Sequence, residues 1–417
     1  MQIIYKRYFS LPIKFHCTET ALLRVYSDIL NHVDSRNISL LSLLDLSAAF
    51  DTIDHTILIS RLEITYGITG VALRWFESYL KGRKQAVKIK NTRSEDVVLE
   101  FGVPQGSVLG PILFTLYTQP LVDILSKHNM NYHMYADDTQ LYQCTIEHNL
   151  QKLIADTEKC IHDVKIWMNT NKLKLNDSKT ELIIFQNAWT SKEPISASLN
   201  INNNNIISSS TVKNLGVTID TDLNMNRHVE LLCNNLLFQM SKIRSIRNYL
   251  SMDATKYLVT TLILSRLDYC NSLLFGVNKS VLYKLQIIQN HSARIIARKR
   301  KFEHITPLLI ELHWLPVQYR INYKIALLCF KCLNNTAPSY LSDLLNVYVP
   351  GRFLRSSSDT TILSKPCTNY KRYGQRSFGY AGPEVWNELP FDIRNTDNSN
   401  TFKSKLKSYL FNCAYNS

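Results

Sequence analysis

The stretch NYHMYADDTQLYQC, residues 131–144, alternates polar and apolar side chains, breaks at two adjacent acids, and then resumes its alternation. A period of two reads as a half-buried strand, so the stretch predicts a β-hairpin with Asp137 and Asp138 at its crest. Inside a flat strand, neighbouring side chains point to opposite faces and two adjacent acids do not share a ligand. At a tight turn that constraint lapses. Two carboxylates so close repel, and one holds its proton unless a cation compensates them. Mg²⁺, a hard ion that prefers oxygen ligands, supplies that compensation. Asp-Asp at a hairpin tip is also ordinary turn chemistry, so the pair alone decides nothing.

A further acid has to arrive from another strand end. SLLSLLDLSAAFD, residues 39–51, offers Asp45 where a buried apolar run meets more polar sequence. An ionised group there needs a partner, and a metal is one. Two divalent ions on such carboxylates form the clamp of in-line phosphoryl transfer, serving the attacking 3′-hydroxyl and the departing pyrophosphate.

The bulk composition agrees with a nucleic-acid partner. The 417 residues suffice for two or three domains with real cores, and 45% hydrophobic with 20% charged residues is a globular balance. A net charge of +14 favours a polyanion, nucleic acid first and an anionic membrane surface second. The nine cysteines are odd in number and sit mostly inside apolar patterns, which predicts reduced core thiols. The CFKC pair, Cys329 and Cys332, lies in a helical pattern with no second pair at zinc spacing, which favours packing over metal. The basic N-terminus MQIIYKRYFSLPIKFHCTE has no uninterrupted apolar core, so neither a secretory leader nor a favoured transit peptide is read there. YLVTTLILSRLDYCNSLLFG is interrupted by Arg266 and Asp268, and no membrane span is expected.

Along the chain, residues 17–33 have helical spacing with Thr18 or Thr20 as caps, and 38–46 reads as a buried central strand. Two helices follow at 54–67 and 71–83, the first with Asp54 as N-cap, and then an alternating strand pair, QAVKIK and DVVLEFG. Residues 106–125 read as one helix entered through a glycine-containing loop, and 146–170 as a strongly amphipathic one. ELIIF (181–185) and VKNLGVTI (212–219) read as strands, separated by a polar Asn/Ser loop or hairpin. From 226 to 300 the pattern is helical and ends in a basic cluster. A last section holds a helix near 320–334 and loop-rich sequence with PGRF and GYAGPEVWNELP. The element order predicts an α+β sheet domain followed by an all-helical one.

Five segments occur in order: LLDLSAAFDTIDH, FGVPQGSVLGPILF, MYADD, LKLNDSKTELIIF and NLGVTID. Together they resemble the successive palm motifs of reverse transcriptases. HCTETALLRVYSDIL before them and LHWLPVQYRINYKIALLCFKCLNN after resemble jockey-like non-LTR retrotransposons, so the likeness covers nearly everything after about residue 14. It implies a right-hand polymerase palm, an antiparallel sheet flanked by helices, over 38–225. A helical thumb over 226–300 and a helical, loop-rich extension over 301–417 would follow, with 1–37 a remnant of fingers and connecting helix.

The resemblance also implies roles. Asp45, Asp137 and Asp138 would be the metal-binding catalytic acids, with the main-chain carbonyl of Leu46 as an additional ligand for two Mg²⁺ ions, Mn²⁺ being a substitute. Phe50 would be the aromatic under the sugar, colliding with a ribose 2′-hydroxyl. Gln105 and Gly106 of PQGS would touch the incoming nucleotide and the template. Lys179 would protonate the leaving pyrophosphate, and Leu215 and Gly216 would form the primer grip. Lys242, Arg244, Arg247, Arg294, Arg298, Lys299, Arg300 and Lys301 would contact duplex phosphates. Read without the family, Phe50 is a core aromatic, PQGS a turn before a helix, Lys179 a solvated lysine, and each thumb cation part of a charged surface.

The implied partners are an RNA template, a DNA primer and dNTPs, with no membrane, in the nucleus or cytoplasm. The family's finger strands lie upstream of where the likeness begins, which implies a truncated frame with weak or absent polymerase activity. A catalytically inactive nucleic-acid-binding remnant or domesticated scaffold is the alternative. An RNA-templated RNA polymerase shares the palm chemistry, but Phe50 disfavours it.

Overall fold

The computed structural model describes residues 14–188, 195–201, 204–349 and 362–416. The basic N-terminal stretch through residue 13 and the PGRF stretch, 350–353, lie outside the described residues. The chain divides into two compact units. Of the described residues, one takes in 40–184, 195–201 and 204–209; the other takes in 14–39, 185–188, 210–349 and 362–416. Helix α1, Thr18–Asp34, and the extension after residue 300 fall in the second unit together with the helical region between them.

The first unit is built on a four-stranded sheet. Its strands are β1 (Ile38–Leu44), β2 (Asn131–Tyr135), β3 (Asp138–Thr145) and β4 (Glu181–Phe185), in the order β4-β1-β3-β2. All seven residues of β1 are buried, as its continuous apolar run requires of a central strand. β2 and β3 pair antiparallel from Asn131 opposite Tyr142 to Tyr135 opposite Asp138, which leaves Ala136 and Asp137 as a two-residue turn. Helix α2 (His55–Ile64) starts at Asp54, whose Oδ1 accepts from the Thr56 and Ile57 amides at 2.8 and 3.0 Å. That is the N-cap its sequence predicts. Helix α3 (Gly70–Leu80) follows, and the expected strand pair is a set of short exposed rungs, Lys84–Gln85 with Val97–Val98 and Lys88–Ile89 with Thr92–Arg93.

The single helix expected over 106–125 is two, α4 (Gly110–Thr118) and α5 (Leu121–Lys127). Pro120 is the reason: it has no amide hydrogen to donate and its ring crowds the preceding turn. Helix α6 (Leu150–Thr170) keeps the apolar face its periodicity predicts, burying Leu150, Leu153, Ile154, Cys160, Ile161, Val164 and Met168. Each large aliphatic side chain so covered contributes roughly 1.5–3 kcal/mol. The Tyr117 hydroxyl donates to the Asn171 carbonyl at 2.6 Å and joins the ends of α4 and α6.

In the second unit VKNLGVTI is not one strand but a hairpin. β5 (Thr211–Asn214) and β6 (Val217–Asp220) pair antiparallel around Leu215 and Gly216. Helices α7 (Asn226–Ile246), α8 (Met252–Val259), α9 (Lys279–Ala297), α10 (Val317–Leu333), α11 (Phe378–Asn387) and α12 (Ser399–Tyr415) form its bulk. The extension is pinned to α1 by Asp34, whose buried carboxylate accepts from the amides of Asn369, Tyr370 and Gly374 at 2.7, 2.8 and 3.0 Å. Cys329 and Cys332 are buried thiols on α10, as the pattern predicts. No described helix is long and apolar enough to cross a membrane.

Candidate active site

Asp45 follows directly on β1, and β3 opens with Asp138. The two strands are sheet neighbours, so distant parts of the sequence meet. The meeting is visible in the acid chemistry. Burial, then the neighbouring charge of Asp137, then that of Asp45 push the Asp138 carboxyl from its ordinary 3.8 up to about 6. Asp137 occupies the turn itself and Asp138 the closing pair, so the strict alternation of a strand no longer separates them. The turn is strained at Ala136, whose φ of 52° is left-handed. For a residue with a Cβ that costs about 1 kcal/mol or more, and such strain persists where surrounding structure enforces it.

Asp45 carries the second sign of an uncompensated site. Its Oδ2 is buried and takes no hydrogen bond, although the Lys179 ammonium lies 3.4 Å away. The main chain holds Asp45 in place, because its carbonyl accepts from the Asn176 amide at 2.9 Å while Leu46 pairs with Leu175. By the alternation of an antiparallel ladder, the Leu46 carbonyl points away from that partner. Among the described residues no three acid, histidine or cysteine side chains stand close enough to hold a metal ion as they are arranged. The donor set itself is suited to one: hard carboxylate oxygens, one of them buried and unpartnered, and an acid whose ionisation the neighbouring charges oppose.

The PQGS segment sits in the same unit. Gln105 donates from Nε2 to both carboxylate oxygens of Asp51 at 2.9 and 3.0 Å, and Gly106 has a φ of 76°. The chain before it runs against the Phe50–Asp51 turn. A Cβ on Gly102 would lie 3.0 Å from the Asp51 backbone, so only glycine permits this approach. Phe50 is half-buried and packs on Phe114 with ring centroids 4.8 Å apart. Beside these residues opens a groove of about 760 Å³, lined among others by Asp51, Arg83, Lys84, Phe101 and Gln105. Arg83 and Lys84 are absent from the residues that the motifs single out; the basic run KGRK, 81–84, is the signal that marks them.

In the second unit the Leu215–Gly216 turn has φ of 43° and 82°. Both central residues are left-handed, the geometry of a tight hairpin turn, and at leucine it is strained. The thumb cations divide. Arg244, Arg294, Arg298, Lys299 and Lys301, with His291, line a groove of about 550 Å³. Its field is positive: burial and then Arg294, Arg244 and Lys301 lower the His291 pKa. The Arg294 Nε is buried there with no hydrogen-bond partner among the described residues. Lys242 lies over the Phe238 ring instead, and the Arg300 amide bonds Glu303. Arg247, expected among the phosphate contacts, also borders this groove, but its guanidinium is turned to the main chain. It is buried, and its guanidinium donates to the carbonyls of Ile295, Leu250 and Ile296 at 2.8, 2.8 and 2.7 Å. Those carbonyls include the orphan acceptors at the end of α9, so this arginine is spent on the fold.

A model of the reverse transcriptase (RNA-dependent DNA polymerase) family matches residues 11–219, half of the chain. The chain belongs to the reverse transcriptase family. Within that family it is jockey-like. It is 29% identical over 315 residues to the probable RNA-directed DNA polymerase from transposon X-element of Drosophila melanogaster, covering 74% of this chain and 34% of that protein. To the RNA-directed DNA polymerase from mobile element jockey of Drosophila funebris it is 25% identical over 295 residues, covering 68% and 31%. The chain thus spans about a third of the length of the curated relatives it matches. Among solved structures, telomerase from Candida albicans in complex with a telomeric RNA fragment aligns with a TM-score of 0.36 and 13% identity over 76% of this chain and 53% of that one. That likeness is too slight to bear weight. Reverse transcriptases use divalent metal ions, which suits the acid set of the first unit.

Proposed function

We propose that the chain carries an RNA-directed DNA polymerase site, adding deoxynucleotides to the 3′-hydroxyl of a DNA primer on an RNA template. One observation carries the reading: Asp45, at the end of β1, and Asp138, at the start of the neighbouring strand β3, meet at the hairpin tip, where burial, then the charge of Asp137, then that of Asp45 push the Asp138 carboxyl up to about 6.

Asp45, Asp137, Asp138 and the Leu46 carbonyl would hold two divalent cations, Mg²⁺ by its oxygen preference and Mn²⁺ as a substitute. When bound, such ions stabilise the charge on the attacking and leaving oxygens of an in-line displacement. Phe50, braced on Phe114, supports the deoxyribose and excludes a ribose 2′-hydroxyl. Gln105, held by Asp51, presents its amide to the incoming nucleotide, and Gly106 leaves room for it. Arg83 and Lys84 face the same groove and suit a phosphate chain. Lys179 would pass a proton to the leaving pyrophosphate from its Nζ. Leu215 and Gly216 would hold the primer end. Arg244, Arg294, Arg298, Lys299 and Lys301 supply the salt-sensitive grip on duplex phosphates, with Lys242 and Arg300 as exposed outliers.

Primer extension tests the reading. Purified chain with a DNA primer on an RNA template, dNTPs and Mg²⁺ should extend the primer at a low rate, in keeping with the weak activity expected from the sequence, and Asp138→Ala should lower that rate by about 10²–10⁴-fold. Equal incorporation by wild type and Asp138→Ala would remove the catalytic assignment. Duplex binding with no metal-dependent synthesis would leave only a nucleic-acid-binding fold.

A further inference from the structure

The second unit holds a cavity of about 370 Å³ beside the Leu215–Gly216 turn, lined by Lys213, Gly216, His228, Asn235, Arg266 and Tyr269 among others. Tyr269 comes from the helical segment 54 residues further along, and its hydroxyl donates to the Leu215 carbonyl at 2.7 Å. Its ring lies against the turn: a Cβ built on Gly216 would stand 3.4 Å from Cε1. Gly216 is needed for its φ of 82°, while the ring packs beside it at ordinary contact distance.

Three features meet on this turn. Its leucine is held in a conformation leucine disfavours, and strain of that kind persists only where other contacts enforce it. The residue that enforces it is a tyrosine 42% exposed. With the hydroxyl fixed and one side against the turn, the ring has little rotational freedom left, which makes it a pre-set platform. Two cations share the cavity lining, Lys213 from β5 and Arg266, whose Nη1 donates to Asn235 Oδ1 at 2.7 Å and so is steered by α7. His228 adds no charge at neutral pH, because burial brings its pKa down to about 4 and its Nδ1 accepts from the Thr218 amide at 3.3 Å. An aromatic face flanked by basic groups is the recurring arrangement for a nucleic-acid strand, stacking on a sugar or base while phosphates are neutralised.

We propose that this cavity seats the terminal nucleotides of a nucleic-acid strand, with Tyr269 clasping the turn and stacking on the strand while Lys213 and Arg266 face its flanking phosphates. The proposal rests on the reading of Leu215–Gly216 as the turn that holds a primer, and adds to it a positioning residue and an anion-binding pair that no motif in the sequence marks.

The test is equilibrium binding to the full chain, without divalent ions or dNTPs. The probe is a DNA primer on an RNA template with a recessed 3′-end carrying 2-aminopurine at the primer terminus; a blunt duplex of equal length serves as control. Tyr269→Ala should weaken binding of the recessed duplex by about tenfold and remove the fluorescence change at the terminus, leaving the blunt duplex within twofold. Tyr269→Phe, which keeps the ring and loses the clasp, should hold affinity within about twofold but shift the terminal fluorescence. Lys213→Ala with Arg266→Ala should lower the slope of log K against log salt by about two.

Wild-type affinity, fluorescence and salt slope in Tyr269→Ala and in the double variant would overturn the inference; should Tyr269→Ala fail to fold, the surface double variant decides alone. The polymerase reading fails separately. A chain that passes this binding test yet never extends the primer defeats that reading and leaves the strand-end site standing. A chain that extends the primer with both variants at wild-type KM overturns the site and leaves the polymerase.

Discussion

The Lys179 ammonium lies 3.4 Å from Oδ2 of Asp45, an oxygen that is buried and takes no hydrogen bond. The lysine side chain is 68% exposed, so solvent screens its charge and the pair contributes little to stability. Its meaning is electrostatic. A single mobile ammonium stands beside a carboxylate that a doubly charged ion would hold better.

Removing that ammonium should therefore separate two roles. Lys179→Ala is expected to tighten Mn²⁺ binding by about two- to tenfold at low ionic strength, because a competing positive charge is gone. Turnover in primer extension should fall by about 10²-fold as a proton donor is lost. Calorimetric titration beside steady-state rates reads both. Unchanged or weaker Mn²⁺ binding would contradict the pairing.

Asp138 makes a prediction about stability. Its carboxyl is raised to about 6, so the folded chain keeps a proton that the unfolded chain releases near 3.8. Ionisation of this group thus weakens the fold progressively from about pH 4 to above pH 6, after which the loss is constant. Asp138→Asn should abolish activity yet raise stability, by about 1 kcal/mol at pH 8 in metal-free buffer once solvent screening at this part-exposed position is included, and by far less at pH 4. Thermal melts at the two pH values check this. An equal effect at both would place the cause elsewhere.

The two classes of thumb arginine should part cleanly. Arg247→Ala removes a buried guanidinium from three carbonyls and is expected to cost about 2–4 kcal/mol of stability. Arg244→Ala and Arg298→Ala should leave stability within about 0.5 kcal/mol and each lower the salt slope of duplex binding by about one. Denaturant titration and salt-dependent binding distinguish them.

Phe50 is tested by substrate choice. Phe50→Ala should raise incorporation of rNTPs relative to dNTPs by about 10–10²-fold, since the ring is what a 2′-hydroxyl meets. Single-nucleotide insertion with each triphosphate measures the ratio. An unchanged ratio would return Phe50 to a packing role against Phe114.

Much of this was legible in the sequence, because it depended on periodicity and local turn chemistry. β1 is an unbroken apolar run and is the buried centre of its sheet; YADD sits where alternation breaks; Asp54 caps the helix its position predicts. The misreadings have equally local causes. NLGV hides a hairpin, because the turn uses a strained leucine where asparagine or glycine would have announced it. Pro120 divides a helix that hydrophobicity alone joins.

What the sequence withheld is tertiary. Arg247 and Arg244 are indistinguishable as letters, and only the carbonyls that gather around one of them show which is structural. Asp34 likewise gives no sign in α1 that it will accept three amides from the chain around residue 370. Arg83 and Lys84 stand in the basic run KGRK, but only the groove beside Gln105 gives that run a place.

The most direct measurement is Mn²⁺ binding to the purified chain, followed by the loss of the free-ion paramagnetic signal. Wild type should bind near neutral pH, while Asp45→Asn and Asp138→Asn each weaken binding by about tenfold or more, as expected of carboxylates from two strands serving one cation. If Asp45→Asn bound Mn²⁺ as wild type does while Asp138→Asn did not, the three acids would not share an ion, and the polymerase account would fail at its centre.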